Sequence, residues 1–176
     1  MFYGFFYAAL PTLSGNSAAE ISLADFDELA AGAMSGKRFR QLVSWDDRDS
    51  DTGVAVYREM RKFDDFLKLR IAGERQEKLG VFSELPPCDD YYSEVEFALP
   101  GAVASADPVE RERIVEQIRW RKIDELEAGH ELDFTALCCY RMRLASLEKY
   151  RRRAADDGNS VFERMVDRLS GAVNSI

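Results

Sequence analysis

Apolar residues return at three- and four-residue steps through most of this chain, the interval at which side chains share one face of an α-helix. The longest run is Val56, Met60, Phe63, Leu67 and Ile71, which predicts a helix from about Thr52 to Leu79 with Gly80 as its C-terminal stop. The polar stretch GERQEKL beyond Ile71 is expected to project into solvent or meet a partner. Leu23, Phe26, Leu29, Ala30 and Ala33 form a shorter stripe behind Ser22, an N-cap with Asp25 three residues on. Gly32 and Gly36 suggest that this helix ends there, and KRFRQLVSW reads as a further short helix before the polar break WDDRDSD. Residues 2–10 are apolar all round, so periodicity leaves strand and helix open.

The second half of the chain opens on a strong helix start: Asp107 as N-cap, Pro108 at the first helical position and Glu110 as the capping-box acid. That helix is expected to run to about Ala128, with Gly129 closing it. Asp133 caps the next, whose face Phe134, Leu137, Cys138, Leu144 and Ala145 share with Arg141 between them, and which ends near Arg153. After a polar turn over 156–159, Val161, Phe162, Met165, Val166, Leu169 and Val173 give the cleanest amphipathic stripe in the chain. Three helices with short joins predict an antiparallel bundle. Residues 81–106 carry Pro86, Pro87 and Pro100, which oppose helix, and read as a connector. The expected fold is all-α: an N-terminal helical unit over 1–80, the connector over 81–106 and a three-helix bundle over 107–176, together one compact domain.

Composition narrows the function. The length of 176 residues, with 46% hydrophobic and 11% aromatic content, suits one domain with a real core. A net charge of −8 disfavours nucleic acid and anionic lipid, which need clustered cations. The run Arg151–Arg152–Arg153 is accounted for as a solvated helix end. The aromatic start MFYGFFYAAL lacks a basic flank and breaks at Pro11, well short of the roughly twenty residues a span requires, so a cytoplasmic protein without direct membrane insertion is expected. Three cysteines, Cys88, Cys138 and Cys139, without CxxC spacing read as free thiols.

Candidate chemistry is sparse. His130, the one histidine, sits near Glu127 and Asp133, a conceivable acid–base group, but no nucleophile stands at motif spacing. A histidine just past a helix C-terminus more often caps carbonyls or bonds a neighbouring carboxylate. Asp124, Glu125, Glu127, Glu131 and Asp133 do not follow a calcium-loop pattern, and helical pairs such as Arg121–Glu125 explain them. No nucleotide motif is present, and no catalytic residue, cofactor or metal is assigned. Trp120 has two readings, a core residue packed on the next helix or an interface anchor.

Residues 107–150, DPVERERIVEQIRWRKIDELEAGHELDFTALCCYRMRLASLEKY, resemble the C-terminal half of a bacterial family encoded beside V/A-type ATPase subunits. The family's N-P-L-E helix start, R-W and L-D-E-L-E helix, G-H turn and F-D-L start are similar to Asp107–Glu110, Arg119–Trp120, Ile123–Glu127, Gly129–His130 and Leu132–Phe134 here. The aromatic N-terminus and Ser22–Leu29 are also similar, whereas residues 40–106 carry little of the pattern. Arg121 and Lys122 replace apolar or aromatic positions, Glu131 an aromatic one, and Arg141 and Arg143 make the helix after the G-H turn more basic than the family's.

What the resemblance implies is a non-catalytic accessory subunit of a V/A-type rotary ATPase, distantly similar to the funnel-shaped C (d) subunit that links the central shaft to the membrane ring. That subunit is about twice as long, and fold-level likeness does not by itself carry function. The implied partners are other V/A-type ATPase subunits, met through Trp120, Asp124, Glu125, Glu127 and His130, at a peripheral membrane location. The alternatives are a free-standing helical interaction module and a hydrolase using His130 and its carboxylates.

Overall fold

Helix ends in this protein are set by the capping chemistry that its sequence carries. In the computed structural model, which describes residues 3–14, 20–47, 53–81, 84–88, 90–105 and 107–155 with side chains to Lys149, the Ser22 hydroxyl accepts the Asp25 N–H at 3.1 Å. The Asp25 carboxylate accepts the Ser22 N–H in return, which completes a capping box at the head of α2, Leu23–Ala33. Ser35 caps α3, Gly36–Val43, which runs into a 3₁₀ turn over Ser44–Asp46. The long helix α4, Ala55–Leu79, stops at Gly80, whose φ of 65° is left-handed; the Val81 N–H returns to the Gln76 carbonyl at 3.0 Å. Asp107 starts α6, Pro108–Glu127, by accepting the Val109 N–H, while Glu110 bonds Arg113 with both oxygens instead of closing the expected capping box. Asp133 starts α7, Phe134–Ala155, by accepting the amides of Thr135 and Ala136.

The fold is all-α, and among the described residues there is no strand. Helices α4, α5 (Ser93–Ala104), α6 and α7 pack in chain order, α4 also meets α6 and α7, and the N-terminal α2 and α3 lie on α7. One apolar cluster runs from Tyr3 through Phe26, Tyr57, Phe63 and Leu99 to Leu137 and Leu144, so residues on both sides of the proline-containing segment share a core. Among the described residues no helix is long and apolar enough to cross a membrane.

Several expectations change. The open segment at the N-terminus forms a short helix, α1, Gly4–Ala8. On α2 only Phe26 and Ala30 are buried; Leu29 and Ala33 face outward. Helix α2 ends at Ala33, between Gly32 and Gly36 as expected, and Gly36 is the first residue of α3. The expected connector contains α5, Ser93–Ala104, with Pro100 inside it. Val95, Leu99 and Ala102 keep helical spacing and are buried, while Pro100 is exposed. On that outer side the carbonyl left without its amide can take water instead, so the proline is tolerated.

The largest difference concerns α7. Nine consecutive residues, Ala136 to Leu144, are buried, so its middle turns are covered on every side rather than along one face. The expected third helix of the bundle, over 161–173, and the turn at 156–159 lie outside the described residues.

Candidate interaction surface

Ion pairs between distant helices hold the fold together. Arg141, 1% exposed, donates through Nε and Nη2 to both oxygens of Asp27 on α2, each at 2.8 Å, and through Nη2 to Asp46 at 2.7 Å. Burial disfavours its charge, but the bonds to Asp27 and Asp46 outweigh that and hold its pKa above the ordinary arginine value. Arg119 makes a similar fork onto Asp64 of α4 at 2.7 and 3.0 Å and also bonds Glu116, which accepts the Ser146 hydroxyl of α7 at 2.6 Å.

The third network contains three of the five candidate contact residues. Arg143 on α7 donates to Asp124 at 2.6 Å and to Glu127 at 2.5 Å, both on the last turns of α6. Its guanidinium lies 5.9 Å from the centre of the Trp120 ring, a cation–π distance. The Tyr7 hydroxyl of α1 donates to the other Glu127 oxygen at 2.8 Å. Burial, aided by Glu127, pushes the Tyr7 phenol up to about 12. Trp120 is half-buried and is packed against the next helix through Arg143.

The other two candidates stand elsewhere. Glu125 bonds Lys122 at 2.9 Å, so its partner is three residues back rather than the expected Arg121. Lys122 reaches on to Glu94 of α5 and lies 5.1 Å from the centre of the Tyr92 ring. His130 is exposed in the α6–α7 turn, with Nδ1 2.8 Å from the Asp133 carboxylate. Partial burial works against the Asp133 charge, but His130 and the Ala136 and Thr135 amides prevail and set its pKa below the ordinary aspartate value. The turn contains two left-handed residues, Gly129 (φ 82°) and Leu132 (φ 68°), and the Leu132 carbonyl accepts the Tyr3 N–H.

Beside the Arg143 network opens a cleft of about 430 Å³. The N-terminal segment from Leu10 to Ser14 lines it together with Tyr7, Trp120, Tyr140, Arg143 and exposed Asp124. Tyr140 donates its hydroxyl to the Pro11 carbonyl at 2.9 Å and stacks on Phe26, which fixes this lining. Tyr7, Tyr140 and Arg143 were not among the candidate residues. Arg143 was visible only as an unusual cation in an apolar helix, and nothing local tied Tyr7 to a carboxylate 120 positions away. Among the described residues no group of three or more His, Cys, Asp or Glu converges as a metal ion would need. Thr12, Ser14 and the Arg143 guanidinium also line the cleft, so the chemistry available is mixed polar and π contact, with exposed carboxylates at Asp124 and Glu125 nearby.

Residues 97–173 match the profile of a family described as a protein of unknown function (DUF2764). The matched range begins within α5, covers α6 and α7, and contains the whole 107–150 stretch on which the resemblance rests. No curated protein matches the chain, and no solved structure does.

Proposed function

We propose that this chain is a non-catalytic helical adaptor, and that the assembly it serves is a V/A-type rotary ATPase, where it links the central shaft to the membrane ring. The observation that carries the adaptor reading is the cleft at the end of α6, lined in part by aromatic rings and by exposed Asp124, with Glu125 exposed close by. Such a cleft suits a polar or aromatic side chain from a partner, and exposed Glu125 nearby can steer a basic partner surface towards it. The assignment to a rotary ATPase rests on the resemblance of residues 107–150, since the family description names no activity and no partner.

Two measurements test this. Native capture of the tagged chain from its own cell is expected to bring down other V/A-type ATPase subunits, and deletion of the gene to uncouple or destabilise the complex. Recovery of no ATPase subunit, with an intact and coupled ATPase in the deletion strain, would leave a free-standing interaction module as the better account. With a captured partner in hand, Glu125→Lys is expected to slow association several-fold with little change in dissociation, because a rim charge acts on encounter. An unchanged association rate would remove Glu125 from the surface. The hydrolase alternative predicts a turnover that His130→Ala abolishes; the adaptor predicts none.

A further inference from the structure

A second, larger cleft of about 510 Å³ lies where α4, α5, α6 and α7 come together. Ile71, Leu99, Ala102, Val103 and Val115, all buried or half-buried, give it an apolar floor. Its cations come from three helices: Lys68, Arg75 and Lys78 from α4, Arg111 from α6 and Lys149 from α7. Two carboxylates, Glu112 and Glu116, share the lining, and Glu116 is committed to Arg119 and Ser146. Among the described residues exposed Arg75 and Lys149 have no acidic partner. In a chain of net charge −8, the balance of charge is locally reversed at this cleft.

We infer that the cleft is a docking site for a partner's amphipathic helix with acidic flanks. The cations set the sign of the partner, and the apolar floor calls for an apolar stripe between its charges. The extent of the cleft sets the kind of partner. From Lys68 to Lys78 helix α4 rises about 15 Å, close to three helical turns. A single-headed amphiphile such as a fatty-acid anion would answer one of the cations. Carboxylates repeated beside an apolar stripe answer several at once, and cations from three helices give partners to both flanks of such a stripe.

Two features of α4 agree with this. Leu79 follows Ala72 and Arg75 at helical spacing, so it stands on the same side of α4 as these two lining residues, and it is 76% exposed. The polar stretch GERQEKL, expected to project into solvent or meet a partner, supplies both Arg75 and Lys78. The two clefts also differ in sign. Exposed carboxylates at the end of α6 steer a basic surface, whereas this cleft draws an acidic one, so the two partners do not compete. The docking site is independent of the rotary-ATPase assignment.

The test uses the full chain and two synthetic peptides of about two heptads, with leucine at a and d and either glutamate or lysine at e and g. In nuclear magnetic resonance titrations the glutamate peptide is expected to shift the methyl signals of Ile71, Val103 and Val115 and to leave the Trp120 indole unmoved. It should bind at least about tenfold more tightly than the lysine peptide, and added salt should narrow the difference. Lys68→Glu combined with Arg75→Glu, both at exposed positions, should weaken the glutamate peptide at least about tenfold while thermal unfolding stays nearly unchanged. Equal affinity for the two peptides, or shifts centred on Trp120, would overturn the proposal. So would a glutamate peptide that leaves the three methyl groups unmoved; if laurate moved them instead, the cleft would be a site for a small amphiphile.

Discussion

Arg141 shows what a single residue contributes here. A fully buried guanidinium keeps its charge because Asp27 and Asp46 supply four oxygens at its donors. Removing one partner leaves an underpaired charge in the core, which costs more than the pair itself is worth. Asp27→Ala is therefore expected to destabilise the fold by about 3–5 kcal/mol in urea unfolding. Asp46→Ala should cost less, about 1 kcal/mol or below, because its side chain is 57% exposed and water can replace it. Equal effects would show that the two carboxylates act as one unit.

The cysteines separate in the same way. Burial pushes the Cys138 and Cys139 thiols up to about 12, while Cys88 is exposed. A thiol reagent at pH 8 should modify Cys88 alone in the native protein and all three cysteines in denaturant. Rapid native reaction at more than one site would show that α7 opens easily.

At the scale of elements, α5 and α7 depart most from a simple pattern. Helix α5 tolerates Pro100 on its outer face, and the cost of the missing hydrogen bond remains in the fold. Pro100→Ala is expected to raise stability by about 1–3 kcal/mol, read as a higher urea midpoint with an unchanged slope. A loss of stability instead would show that the ring packs against a neighbour. In the sequence, Val95, Leu99 and Ala102 did carry the helical period, but two prolines earlier and one within the stretch masked it. Helix α7 was recognised as a helix, with its Asp133 cap, but not as the centre of the molecule. In the sequence Arg141 and Arg143 stand out only as cations on an otherwise apolar helix; their partners lie on α2, the 3₁₀ turn and α6, and no local spacing reveals them.

At the scale of the whole molecule, long-range polar bonds join the ends of the described chain. Tyr7 bonds Glu127, and Tyr140 bonds the Pro11 carbonyl. The folded Tyr7 phenol stays protonated up to about 12, whereas an unfolded tyrosine ionises near its ordinary value of about 10. Its contribution to stability is thus fully present below about pH 10 and is lost as pH rises towards 12. Burial likewise raises Tyr140 to about 12, so Tyr7→Phe should reduce, and not abolish, the alkaline fall in stability measured by urea unfolding. An identical pH profile in the variant would show that the α1–α6 bond forms no part of that fall.

The sequence by itself determined the all-α class, the caps at Ser22, Asp107 and Asp133, the stops at Gly80 and Gly129, and the core stripe of α4, because each depends on residues within one or two turns of each other. It also drew attention to the end of α6. Tertiary structure alone decided that Trp120, Asp124 and Glu127 meet Arg143 and Tyr7 while Glu125 and His130 stand apart. It also decided that α7 is enclosed and that two clefts open on the bundle. Those outcomes depend on which faces of distant helices come together, and a buried arginine and a solvated one are the same letter until the partner carboxylate arrives from elsewhere in the chain.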